Sequence, residues 1–134
     1  MRVVLDSNVI VAAFASRGLC ESILELCLDS HEVVLSEGLL AETRKNLSKK
    51  IKLPQAVIEE IMKFLREHSI ILSPVFVPEG ACRDSDDLEA LGLAMASETP
   101  VIVTGDQDLL VLNKYKGIRI LTPHAFSDML HNKK

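Results

Sequence analysis

The sequence predicts an α/β protein: three layers, α/β/α, around a central, mostly parallel sheet of about four to five strands. Two patterns carry the prediction. Short aliphatic runs alternate with helix-like segments through most of the chain. Several of those runs, Val3-Val4-Leu5 and Val101-Ile102-Val103 among them, are continuously apolar rather than alternating, which requires burial on both sheet faces. Composition agrees: 48% of the 134 residues are apolar and only 4% aromatic, so the core must be large and aliphatic.

The elements follow in order. Arg2 to Leu5 is a strand ending at Asp6, and Asp6-Ser7-Asn8 is a capping cluster before the apolar stretch Val9 to Phe14. Ser16-Arg17-Gly18 breaks that stretch. Cys20, Ile23, Leu24, Cys27 and Leu28 then share one helical face. Glu32 to Leu35 is a second strand, and Ser36 precedes a helix from about Glu37 to Leu47. Pro54 suits the first turn of another helix, with an apolar stripe of Val57, Ile58, Ile61, Met62 and Leu65. Ile70-Ile71-Leu72 is a strand, Pro78 to Asp87 a loop and Leu88 to Ala96 a helix. After Val101–Val103, Leu109 to Leu112 reads as helix and Ile118 to Leu121 as the last strand. Thr122-Pro123 opens a final helix to about Leu130. Residues 1–130 form one domain and 131–134 a frayed tail.

Charge and composition narrow the function. The 15 Lys+Arg against 19 Asp+Glu give −4, which argues against a strongly basic duplex-coating protein. One Tyr and no Trp leave no aromatic base-stacking platform. No apolar run reaches the ~18–20 residues that span a bilayer. The start, Met1 to Asp6, meets a carboxylate before a signal-peptide core can form. Cys20, Cys27 and Cys82 are an odd number without a Cys-x-x-Cys spacing, which fits a reducing cytoplasm and packing roles. His31, His68, His124 and His131 lack zinc-ligand spacing, and Ser7 has no evident His partner for a hydrolase triad.

The chemistry is expected at strand ends, because open parallel sheets bind ligands outside the carboxyl ends of their strands. Asp6 follows the first strand; Asp106 follows Val101–Gly105, with Asp108 two residues on. A single Asp after a strand is most simply a helix cap. Two on the same rim are costly unless a cation offsets them, which points to Mg²⁺ or Mn²⁺ held by oxygen ligands. Arg83-Asp84-Ser85-Asp86-Asp87 puts three acids before a helix, more than capping needs, with Asp87 nearest the helix start. Glu42 borders the inward stripe beside Leu39, while its rival Glu37 is better explained as a first-turn acid. Arg44, Lys45, Lys49, Lys50 and Lys52 crowd the chain after Glu42, as a solvated helix end or as an RNA track.

These segments carry a resemblance. Val4-Leu5-Asp6-Ser7-Asn8-Val9-Ile10, Ser36 to Arg44, Arg83 to Asp87 and Val103-Thr104-Gly105-Asp106-Gln107-Asp108-Leu109-Leu110 resemble PIN domains. More narrowly, the chain is similar to small single-domain prokaryotic PIN proteins assigned as toxins of toxin–antitoxin pairs. The resemblance implies a Mg²⁺- or Mn²⁺-dependent endoribonuclease. Its catalytic acids would be Asp6, Glu42, Asp87 and Asp106, with Asp6, Asp87, Asp106 and Asp108 as metal ligands. Asn8 and Thr104 would arrange the carboxylates, Asp84 is the second choice in the third motif, where Ser85 stands in place of a frequent Pro, and Asp86 also stays open there. RNA is then the substrate, with Arg44, Lys45, Lys49 and Lys50 as contacts. An antitoxin protein and a homodimer are the implied partners. Two other functions stay open: a non-catalytic RNA- or protein-binding module, and an aspartate-based phosphatase using Asp6 as nucleophile. The charge balance fits the nuclease: setting aside Asp6, Glu42, Asp87, Asp106 and Asp108 leaves 14 acids against 15 bases.

Overall fold

The protein is seen in a computed structural model, which describes residues 1–77 and 87–132, without the side chains of Asp87 and Asn132. Its first strand, β1 (Arg2–Leu5), is central. The chain continues through α1 (Ser7–Ala15) and α2 (Leu19–Ser30) to β2 (Glu32–Leu35), then α3 (Glu37–Lys49) and α4 (Gln55–His68) to β3 (Ile70–Ile71). It follows with α5 (Asp87–Ala96), β4 (Val101–Val103), α6 (Gln107–Leu110), β5 (Lys114–Tyr115), β6 (Ile118–Leu121) and α7 (Pro123–Asn132).

The sheet order is β3-β2-β1-β4-β6-β5, with every pairing parallel except β5 against β6. The expected layered, mostly parallel architecture is therefore present, with helices flanking the sheet. Val3, Val4, Leu5, Val33, Val34, Leu35, Val101, Ile102 and Val103 are all buried to 2% exposure or less, as continuous apolar strands require. Among the described residues six strands form rather than four or five. The extra one, β5, is two residues long and folds back through Lys116-Gly117, both at positive φ, a two-residue hairpin turn.

Helix ends follow local chemistry. Asp6 caps α1 through Ser7 N–H, Ser36 caps α3 through Leu39 N–H, and Asp106 caps α6 through Asp108 N–H. In α4, Ile58, Ile61, Met62 and Leu65 are buried, whereas Val57 lies at the stripe's edge, 40% exposed. Cys27 is wholly buried, which pushes its thiol up to about 11, and Cys20 is half-buried. Cys82 and the Pro78–Asp86 stretch lie outside the described residues. The last helix includes His131 and Asn132, two residues more than expected, and Lys133 and Lys134 lie outside the description. Among the described residues, no helix is long and apolar enough to cross a membrane.

Gly92 in the middle of α5 has a packing reason. Its carbonyl accepts Val75 N–H at 3.1 Å, and a Cβ at this position would collide with the Val75 carbonyl oxygen and approach Pro74. The segment after β3 is thus laid directly on the helix backbone. Alanine is a better helix former than glycine by about 1 kcal/mol, yet Gly92→Ala should destabilise the fold by about 1–2 kcal/mol net through overpacking. The midpoint of urea unfolding checks this; an unchanged or raised midpoint contradicts it.

Candidate active site

The sheet reverses direction of growth at β1 and β4. From β1 the chain winds outward to β2 and β3; from β4 it winds the other way to β6. A crevice opens at such a switch point, outside the carboxyl ends of the two neighbouring strands. Leu5 pairs with Val103, so Asp6 and Thr104 leave the sheet at the same level. Asp6 N–H still reaches Val103 O at 3.0 Å, fixing where its side chain departs.

Thr104 organises the site. Its hydroxyl donates to Asp6 Oδ2 at 2.8 Å and accepts Asp106 N–H at 3.0 Å. Asn8 fastens the same atoms from α1: its Nδ2 donates to Asp6 Oδ2 at 3.1 Å, and its Oδ1 accepts Gly105 N–H at 2.8 Å. Asp6 Oδ1 accepts Ser7 N–H at 2.9 Å. A carboxylate offers about four acceptor positions; among the described residues three on Asp6 are taken, leaving one on Oδ1. Asp106 Oδ1 accepts Asp108 N–H at 2.8 Å, and Asp108 stands half-buried in the first turn of α6.

Glu42 comes from α3, the third segment to reach the site. Its Oε2 accepts the Ser7 hydroxyl at 2.7 Å, so Ser7 ties Glu42 to the cap of Asp6. The electrostatics place these groups together. Asp6 is 5% exposed, and its carboxyl is held above the ordinary 3.8 mainly by burial. The Thr104 hydroxyl and Ser7 N–H oppose that rise, while the negative charges of Glu42 and Asp106 add to it. Two further negative charges acting on a buried carboxylate are a cost that a cation would offset, which a lone helix cap would not require.

The structure thus brings together Asp6, Asn8, Glu42, Thr104, Asp106 and Asp108. Of the third motif, Asp84 and Asp86 lie outside the described residues, and Asp87 is described only as the first residue of α5. That helix packs against β1, β2 and β4. The donors present are all oxygens, the set that Mg²⁺ and Mn²⁺ favour. Among the described residues, no three carboxylate, imidazole or thiol groups converge closely enough to enclose an ion by themselves. That is compatible with Mg²⁺, which commonly takes one or two carboxylates and completes its shell with water and phosphate oxygens.

Two residues escaped the sequence reading. Ser7, dismissed as a triad serine, is the bridge to Glu42; a serine in a capping cluster gave no sign of a second partner. Glu89 of α5 receives the Ser36 hydroxyl at 2.5 Å and covers the α3 terminus at Gly38, joining the two acid-bearing helices. On the basic segment, Arg44 pairs with Glu59 of α4, so its guanidinium is engaged within the fold. Glu37 is likewise held by Arg66 through two contacts of 2.7 Å, which pull its carboxyl below the ordinary range. Lys45, Lys49 and Lys50 are exposed.

An open, mostly parallel sheet with acids gathered at its switch point is the arrangement of a PIN-like fold. The sequence matches the PIN domain family model over residues 2–108, and the chain belongs to that family. Two solved structures share the fold. One is VapBC2 from Rickettsia felis bound to a DNA fragment from its promoter, with a TM-score of 0.63 and 17% identity over 91% of this chain and 98% of that one. The other is VapBC-1 from nontypeable Haemophilus influenzae, with a TM-score of 0.62 and 17% identity over 92% and 99%. No curated protein matches the sequence.

Proposed function

We infer that the protein is a divalent-metal-dependent endoribonuclease that hydrolyses RNA phosphodiesters at the Asp6 rim. The observation that carries this is the buried Asp6 carboxylate, set between Glu42 and Asp106 and fixed by Thr104, Asn8 and Ser7. Asp6, through its remaining Oδ1 position, and Asp106 would hold Mg²⁺ or Mn²⁺, with Asp108 and Asp87 beside them. Bound there, the ion supplies an activated water and charge neutralisation at the phosphate. Asp6 and Asp106 would hold the cation against which the phosphate is placed, and Glu42, held by the Ser7 hydroxyl, would accept a proton from the attacking water. Membership of the PIN family supports this chemistry. The phosphatase alternative needs a Lys beside the phosphoryl group, and the hydrogen bonds to Asp6 among the described residues come from Ser7, Asn8 and Thr104 instead. The defining experiment is cleavage of a mixed-sequence RNA by the Mn²⁺-loaded protein, abolished by a chelator and restored by Mn²⁺. Absence of both cleavage and carboxylate-dependent Mn²⁺ affinity in calorimetry would instead favour the binding-module reading.

The RNA track is best assigned to Lys45 and Lys49. They follow Glu42 at i+3 and i+7, on one side of α3, while Arg44 turns toward Glu59. Lys50 caps the helix just beyond. The Lys45→Ala/Lys49→Ala pair should weaken RNA binding and reduce the salt slope of log K by about 1.4, or about 0.7 per phosphate contact on a single strand. An unchanged slope in a titration across salt removes the track. The shared fold with the VapBC structures supports the further reading that the protein is the toxin of a toxin–antitoxin pair, with an antitoxin protein covering the acidic rim.

A further inference from the structure

Beside the acidic rim lies a cavity of about 410 Å³. Its walls are Val9 and Ala12 of α1, Cys20 of α2 and Pro123 at the start of α7. Asn8, Gly105 and Asp106 form its edge, so the cavity opens on the same residues that fasten and carry the catalytic carboxylates. We propose that this cavity receives the nucleobase next to the scissile phosphate, a subsite that grips the RNA strand through the flat face of one base.

Three observations favour a base over other occupants. The walls are aliphatic, with a proline and a half-buried thiol, and among the described residues the polar side chains are the two at the edge. Such walls pack against a π-face and offer it few side-chain hydrogen bonds, so they suit the face of any base better than a sugar or phosphate. The edge residues Asn8 and Asp106 belong to the carboxylate cluster, which places the cavity one residue's reach from a phosphodiester seated there. Single-stranded RNA presents bases that can be turned out of the strand, whereas a duplex does not. The pocket would therefore restrict cleavage to unpaired RNA with only a weak sequence preference.

This inference rests on the ribonuclease reading, and its test separates the two. Single-site RNA oligonucleotides carry an abasic ribose either immediately before or immediately after the cut, and the full-length Mn²⁺-loaded protein is the enzyme. Removing the base on one side should lower kcat/KM about tenfold, with little change on the other side, in keeping with the worth of one stacked base. Ala12→Leu, which fills the cavity without touching a carboxylate, should show the same loss on intact RNA and no further loss on the sensitive abasic strand. Its Mn²⁺ affinity by calorimetry should equal that of the unmodified protein. Equal cleavage of intact and both abasic strands by the unmodified protein overturns the subsite, whatever the variant's folding. So do losses from Ala12→Leu and the abasic site that multiply. Failure to cut any RNA while binding Mn²⁺ overturns the ribonuclease reading, and the subsite with it.

Discussion

Replacing Asp6 by Asn should reduce metal-dependent RNA cleavage more than about 100-fold while leaving the far-ultraviolet circular dichroism unchanged. Even partners one step removed from a metal ligand cost 10–100-fold when lost, and Asp6 is placed as a ligand. The amide also fails locally. Asp6 Oδ1 faces the Ser7 N–H donor, and Oδ2 faces the Asn8 and Thr104 donors. Either orientation of an amide therefore sets its NH₂ against a donor, so the change removes a charge and disturbs the cluster together. Burial already opposes ionisation of Asp6, and removing the charge offsets part of that structural cost. The thermal midpoint of the metal-free variant should accordingly stay close to that of the unmodified protein. Retained Mn²⁺-dependent cleavage at a comparable rate contradicts the assignment of Asp6.

The second large effect belongs to a residue with no charge. Thr104→Val keeps the shape of a fully buried side chain and removes its hydroxyl. Asp6 Oδ2 then loses a donor, and Asp106 N–H loses its acceptor, breaking the tie between the two carboxylate-bearing strand ends. Mn²⁺ affinity or cleavage should fall about 10–100-fold, and stability by about 1–3 kcal/mol for the unsatisfied N–H. Thr104→Ser, which keeps the hydroxyl, should retain most of the affinity. Calorimetric titration with Mn²⁺ separates the cases: equal affinities for the Val and Ser variants would show that the hydroxyl does not position the carboxylates.

What was legible in the sequence had a physical signature in one segment at a time. Val3–Leu5, Val33–Leu35 and Val101–Val103 announced buried parallel strands because each is apolar at every position. The strand-end position of Asp6 and Asp106 followed from those runs. What depended on distant partners was hidden. Lys114-Tyr115 has no apolar pattern, and its pairing with β6 comes from the turn at Lys116-Gly117. Glu42 was marked only by its place beside Leu39 on the stripe, and its tie to Ser7, 35 residues earlier, had no local sign. Arg44 looked like one more base in a patch, and only the placement of α4 gives it Glu59. Gly92 carried no signal of its own within the Leu88–Ala96 helix, although a strap of backbone rests on it.

The separation of the site along the chain has a consequence for synthesis. The bond from Thr104 to Asp6 closes across 98 residues, and β1 has no β4 neighbour until Val101–Val103 has been made. A chain still emerging from the ribosome holds Asp6 and Glu42 but not Asp106. It would lack half of the cation site and the hydroxyl that orders the other half. Under the ribonuclease reading, the nascent chain would stay silent toward RNA until Val101–Asp106 has been made and has joined β1. Non-local pairing of this kind also forms late during folding, which extends the silent interval beyond translation itself.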